Sequence, residues 1–414
     1  LRRTVPPMLR ALGNHNYRLW ALADVVSVTG GWMQVLGLNW VVLARTGSAT
    51  AVGFSVLIST LPALLLGPWA GALADRFPPR RLIVAGEVAH LVIALLLAFL
   101  VWRELPLTPI YALTAAGGLV STLEGPALGR FAGQVVPRDD LGNALALGSL
   151  SNAIGRVLGM SLAGALAATV GDAPLFLINA ASFLFVLGTL AVMRPGEFHP
   201  LAVSPPEEAG VRAGLVYLRG HRVLLVLFAL GFVLSALGRN YQVTMAAMTE
   251  GPLHAGAGGY GALSTVFAVG TVLGGVLAAR VRELTVPLLL AAGAVTSVLQ
   301  AVSGYAPGLL GFAVVILPIA AGAVVIDTAK STRLQLDAAE GMRGRVLAVH
   351  GTIAAGAGAV GAPLLGWLCE SLGPREALLV AGLVTLAVTA VAAAALRKPR
   401  VAEIPVPEPA LATV

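Results

Sequence analysis

The chain has 414 residues, of which 57% are hydrophobic and 11% charged, and it carries a formal net charge of +7. Soluble domains are about 25% charged, so this composition, with a mean hydropathy of +0.87, excludes a soluble fold and points to a polytopic membrane protein. Nucleic acid is not an expected partner, because the arginines punctuate apolar segments instead of covering one face of a domain.

A hydrocarbon core of about 30 Å takes roughly 20 apolar residues per crossing helix. Apolar runs at 19–43, 51–74, 82–102, 107–128, 142–168 and 174–193 predict six spans, and runs at 223–248, 259–279, 284–304, 308–329, 346–369 and 376–396 predict six more. The expected fold class is an all-α membrane protein of twelve transmembrane helices. Its 49 glycines suit that class, since small residues let helix backbones approach closely in lipid. The N-terminal stretch holds Arg2, Arg3 and Arg10 but no short apolar run ending in a small-residue cleavage site, so the first span is expected to be its own insertion signal.

When the tails and the loops after even-numbered spans are placed on one side, nearly all Lys and Arg fall there; the other side keeps only Arg45, Arg103 and Arg375. Cytoplasmic loops accumulate such residues, so both termini are expected inside. Residues 194–222, richer in Pro, Glu and Arg than what precedes them, read as a cytoplasmic linker between halves at 1–193 and 223–396. An amphipathic surface helix is expected over 207–222, and a disordered cytoplasmic tail over 397–414. Gly71, Leu73, Ala74 and Arg76 recur as Gly275, Leu277, Ala278 and Arg280, with Ala279 in the place of Asp75; Glu124, Arg130 and Gly155 recur as Asp327, Arg333 and Gly358. Parallel repeats of this kind place a transport site at their interface near the midplane. Cys369, the one cysteine, excludes an internal disulfide and a thiolate metal cluster.

Ionisable groups at bilayer depth are costly and usually line a cavity or relay protons. Arg156 shares a helical stripe with Ser149 and Asn152 near the midplane. Arg156 and Asn152 are therefore substrate-cavity candidates, the alternative for Arg156 being a fixed ion pair. Glu124 points away from Arg130 and is the first proton-coupling candidate, against a structural pair with Arg156. Asp24, on a stripe with Ser27, Gly31 and Gln34, is a second, and Gln34 is a cavity candidate. Asp327 is a third, with neutralisation by Lys330 one turn later as the alternative. Arg239, near Ser235 and Gln242, is a cavity candidate of the second half or snorkels to the surface. Glu87 and His90, one turn apart, form either a proton relay or a simple hydrogen bond. His350 reads as a packing residue, and Trp32, Trp40, Trp69 and Trp102 as interfacial anchors or stacking platforms.

The stretch from Gly71 through Asp75 and Arg76 to Arg80 and Arg81 resembles the loop signature of the major facilitator superfamily, with Pro79 where a glycine is usual. Gly30-Gly-Trp-Met-Gln34, Arg45-Thr-Gly-Ser-Ala49, Val136 to Ala144, Gly155-Arg-Val-Leu-Gly159, Phe176 to Phe183 and Arg343-Gly-Arg-Val346 resemble one branch of it. That branch contains the enterobactin exporter and macrolide efflux pumps and is also called the transmembrane secretion effectors. The resemblance implies two pseudo-symmetric six-helix bundles, a monomer in the bacterial inner membrane and a small-molecule substrate. It implies a cytoplasmic gate of Gly71, Asp75, Arg76, Arg80, Arg81 and Arg130. Span five also resembles an antiporter signature through Gly155, Gly159 and Gly164, with Met160 in the place of proline; close helix packing is the other reading.

The expected function is export of a small amphipathic organic molecule (a drug, siderophore or metabolite) by alternating access and proton antiport, with the proton gradient as energy source and no cofactor. The alternative is flipping of a lysolipid or lipid by the same fold. The sequence has no nucleotide-binding loop, His-Glu-x-x-His or Gly-x-Ser-x-Gly. Neither an enzyme nor an ATP-driven pump is expected, and no catalytic or metal residue is assigned.

Overall fold

The computed structural model describes residues 7–199, 221–238, 240–281, 283–338 and 343–397. Arg239, the stretch up to residue 220 where a surface helix is expected, and the tail from 398 lie outside these residues. Among them the secondary structure is helical: α1 (His15–Thr46), α2 (Ala49–Arg76), α3 (Pro79–Trp102), α4 (Leu107–Ala132), α5 (Leu141–Val170), α6 (Ala173–Val192), α7 (Arg222–Gly238), α8 (Tyr241–Glu250), α9 (Gly256–Arg280), α10 (Val286–Ser303), α11 (Gly308–Leu336), α12 (Arg343–Leu372) and α13 (Pro374–Arg397). Among the described residues eleven segments are long and apolar enough to cross a membrane, with α7 and α8 together making one. The twelfth span is α4, long enough at 26 residues but diluted by threonines, glycines and Glu124.

Solvent exposure is inverted as a bilayer demands. Leu310 is 82% and Val391 69% exposed, whereas Glu124 and Lys330 are 5% and 4% exposed. Water would make such a surface insoluble; lipid makes it the outer wall.

Turns follow from local chemistry. Gly47 ends α1 at φ 63°, its N–H reaching the Leu43 carbonyl at 2.7 Å, a conformation that costs a residue without Cβ little. Ser48 then caps α2 by accepting the Ala51 N–H at 2.9 Å. At the opposite end of α2 the structure corrects the loop reading of residues 71–81. α2 runs through the charged motif to Arg76, and α3 starts at Pro79, whose fixed φ suits the first helical position. Only Phe77 and Pro78 are left to turn the chain.

The seventh span is also not the continuous helix expected from its apolar run. It breaks between Gly238 and Tyr241, where the Asn240 side-chain amide donates to the Ala236 carbonyl at 2.9 Å. That bond satisfies a helix-end acceptor that lipid could not. The break separates Ser235 on α7 from Gln242 on α8, which the sequence places on one face.

Helix pairing reveals the two bundles. In the first half α1 packs on α5 and α6, α2 on α4, and α3 on α4 and α6. In the second half α7 packs on α12 and α13, α9 on α11, and α10 on α11 and α13. Counting α7 and α8 as one span, these are the same pairings shifted by six spans. The halves meet along α2 with α12 and α5 with α9, two contacts that exchange under the same shift. A pseudo-two-fold axis therefore runs between the bundles, as the resemblance implies.

Candidate functional site

Contacts between the halves are densest toward the end opposite the described termini. There the Glu370 carboxylate accepts from the Ser48 hydroxyl, from the Thr50 N–H at 3.1 Å and from the Thr50 hydroxyl at 2.6 Å. Gly53 lies against the backbone of Ala362 and Pro363, and Gly164 against Gly261. No side chain fits between these backbones, which gives Gly164 a packing role; Gly155 and Gly159 pack likewise on α1. Ser161 and Thr265 share a hydrogen bond of 2.9 Å farther along α5 and α9. Close approach between α2 and α12 extends to Leu64 and Gly356, where a Cβ added to the glycine would lie 3.8 Å from the leucine side chain. Beyond that depth, α2 exposes Leu65 and Trp69 and α5 exposes Leu145 and Leu150.

Two hollows lie along the interior of the first half. The one nearer the termini, about 370 Å³, is lined by Asp24, Asn152, Ser149, Ser151 and Tyr17 from α1 and α5, with α4 closing one side. A second cavity of about 330 Å³ is lined by Trp32, Gln34 and Asn39 of α1, Ser55 and Ser59 of α2, His90 of α3 and Ser121 of α4. Gln242 of α8 enters it from the second half and accepts a hydrogen bond from Asn39 at 3.3 Å. This cavity is within the size range of small-ligand sites, about 300–1,000 Å³.

Arg156 stands between the hollows. Asn152, one turn earlier on α5, lines the first, and Trp32, whose ring lies 5.6 Å from the guanidinium carbon, lines the second. The guanidinium also donates to the Thr271 hydroxyl of α9, across the halves. Arg156 is thus held toward α1 and α9, and its described contacts do not include Glu124. Gln34 accepts from the Asn179 side chain at 2.8 Å, while Gly30 packs on Asn179 and Ser182. Two of the stretches that carry the family resemblance therefore meet in space.

Glu124 lies one layer behind the cavity wall. Gly86 of α3 has no side chain, and a Cβ there would fall 2.6 Å from the Glu124 carboxyl carbon; the recess it leaves admits the carboxyl between α3 and α4. His90 Nε2 is 3.5 Å from Glu124 Oε2 and 3.4 Å from the Ser121 hydroxyl, and its ring stacks on Phe183 at 5.3 Å. Glu87 is buried beside this cluster, and Glu124 Oε1 and Glu87 Oε2 have no hydrogen-bond partner. Among the described residues no Lys or Arg pairs with either carboxyl. Asp327 differs: Lys330 Nζ lies 3.5 Å away, buried against Gly231.

The gate candidates occupy the terminal side. Gly71 and Arg76 are on the last turns of α2, and Arg76 and Arg81 are exposed. Asp75 belongs to α2, its side chain lying outside what is described. Arg130 donates to the Ala74 carbonyl, which ties α4 to the end of α2 beside Asp75. Arg80 instead donates to the Leu190 carbonyl at 2.7 Å and approaches the Phe198 ring, so its described contacts stay within the first half.

Residues 8–411 match the sequence profile of the transmembrane secretion effector family. The chain belongs to that family. This secretion effector is 23% identical over 250 residues to the staphyloferrin A transporter of Staphylococcus aureus (strain NCTC 8325 / PS 47), covering 59% of the chain and 62% of the relative. It is 25% identical over 210 residues to the uncharacterized MFS-type transporter YfiS of Bacillus subtilis (strain 168), 49% of each. The matches thus span about half to three fifths of these relatives. In fold it is similar to a bacterial homologue of the human lysosomal transporter Spinster (TM-score 0.71, 15% identity, 92% of this chain and 96% of that one). It is similar also to the nucleoside transporter NupG (TM-score 0.76, 10% identity, 93% and 100%). The secretion effector is a multi-pass membrane protein of the major facilitator fold.

Proposed function

We propose that this secretion effector exports a small amphipathic organic molecule, of the drug, siderophore or metabolite class, by proton antiport and alternating access. The observation that carries the proton reading is the cluster of Glu124, Glu87 and His90. Two carboxyls without a Lys or Arg partner cannot both stay ionised at bilayer depth without heavy desolvation cost. His90 touches Glu124 and lines the cavity, so it offers the route by which a proton passes between them. Substrate enters past Asp24 and Asn152, meets Arg156 and Trp32 at the partition, and is held by Gln34, Asn39 and Gln242. Arg156 favours a substrate bearing an anionic group, and the relative named as a staphyloferrin A transporter supports siderophores as the first class to try.

On the topology expected from the arginine asymmetry, the packed end faces outward and this conformation opens to the cytoplasm. In the opposite state Asp75, Arg76 and Arg81 would close the cytoplasmic rim. Everted bacterial membrane vesicles containing the protein provide the test, with staphyloferrin A and a lipophilic cationic dye as probes. Accumulation of a probe is expected to collapse when nigericin dissipates the proton gradient. Protein-dependent accumulation that persists unchanged under nigericin contradicts proton antiport.

A further inference from the structure

A further hollow lies away from the proposed transport path. It measures about 1050 Å³ and lies at the end opposite the termini, among the ends of α1 and α3 and the α5–α6 turn. α3 and α6 pack within the first half, so the hollow opens to the bilayer and not to the space between the halves. Its long wall is apolar: Leu95, Phe99 and Trp102 are spaced along one stripe of α3, with Leu177 of α6 beside them, all about half exposed or more. Its lip is charged, with Arg45, Glu104 and Asp172.

We propose that this groove binds a bilayer phospholipid with a primary-amine headgroup, acyl chain along the α3 stripe and headgroup at the lip. Charge complementarity selects the headgroup. Glu104 and Asp172 stand with Arg45, which already gives N–H groups to the Val101 and Leu105 carbonyls at 2.9 and 2.8 Å. With Arg103 over the Trp102 ring the lip is balanced at two cations and two carboxylates, so a net-anionic headgroup gains no net attraction, whereas a zwitterion places its phosphate toward Arg45 and its ammonium toward Glu104 and Asp172. A quaternary amine would seek the Trp102 face, but Arg103 is positioned over that ring at 5.8 Å. A primary amine donates hydrogen bonds to carboxylates and has no need of the ring.

The backbone adds an independent sign. Glu104 holds φ at 52°, a conformation that costs a side-chain-bearing residue and that clusters at ligand-binding positions. Among the described residues it has no ion-pair partner. Burial raises the Asp172 carboxyl above the ordinary carboxylate range, and Arg45 opposes that shift; a bound ammonium would oppose it further.

The test uses the delipidated full chain and native mass spectrometry, with phosphatidylethanolamine, phosphatidylcholine and phosphatidylglycerol of identical acyl chains. Wild type is expected to retain the ethanolamine lipid about tenfold better than the other two, the effect of one charge-assisted hydrogen bond. Glu104→Gln with Asp172→Asn should abolish the preference. Glu104→Gly, which relieves the backbone and removes the carboxylate, should weaken it without loss of thermal stability. Glu376→Gln, on the second half at the same end, should leave it intact. Equal retention of the three lipids, strongest retention of the glycerol lipid, or an unchanged preference in the double variant would overturn the proposal.

Discussion

Between α3 and α4 the first half buries two carboxyls beside a half-buried imidazole, whereas at the repeat-related place on α11 the second half buries a lysine beside an aspartate. The helix pairings of the halves match, so architecture does not explain the difference. An Asp–Lys pair carries opposite charges that offset each other. A pair of carboxyls beside a histidine is neutral only when protons are present, and its charge can follow the conformational cycle. Pseudo-symmetry has thus been kept in the helices and given up in the charges, and under the proposed proton antiport the first half is the titrating one.

Substitutions sharpen or break this contrast. The largest effect is expected from Glu124→Gln, which should bring gradient-driven transport to the level of empty liposomes while substrate counterflow, needing no net proton movement, persists. Loss of both activities together would point to a structural role. Lys330→Met should produce the largest fall in Tm. Removing one partner of a buried pair costs about 3–5 kcal/mol, and Asp327, with 29% of its side chain exposed, recovers part of that through solvation. Glu124→Gln should have a Tm near wild type, and the reverse ranking would break the comparison.

Arg156→Lys tests the partition between the hollows. An ammonium cannot reproduce the planar contact with Trp32, and its loss, about 1 kcal/mol, should raise KM about fivefold in transport assays. A matched glycine pair gives a finer probe. Gly86→Ala sets a methyl against the Glu124 carboxyl and should move the pH profile of transport. Gly231→Ala meets the flexible chain of Lys330, 2.8 Å from the new Cβ, and should leave the profile in place. The smallest effect is expected from Asp327→Asn combined with Lys330→Met, since removing both partners of a buried pair is often near neutral.

The spans were legible because membrane thickness imposes a length that apolar runs display directly. The break after Gly238 was not, because a polar interruption of two or three residues is averaged away within an apolar run. The charged motif at 71–81 reads as a loop through its resemblance to a loop signature, yet α2 continues to Arg76, where the arginine side chain is exposed. At the site, stripes on single helices were visible: Asn152 below Arg156, and Glu87 one turn from His90. The tertiary contacts were not. Nothing in the spacing of residues shows that Glu124 reaches His90, that Arg156 leans on Trp32 and Thr271, or that Asn39 meets Gln242 across the halves.

The central claim is that proton exchange belongs to the first half, and it can be tested without knowing the substrate. Infrared difference spectra of the reconstituted protein, recorded across a pH step, report the protonation change of buried carboxyls through their carbonyl stretch. Wild type is expected to show a band that persists in the Asp327→Asn, Lys330→Met double variant, weakens in Glu124→Gln and vanishes when Glu87→Gln is added. A band that survives both Glu124→Gln and Glu87→Gln and disappears from the Asp327→Asn, Lys330→Met variant would contradict the claim.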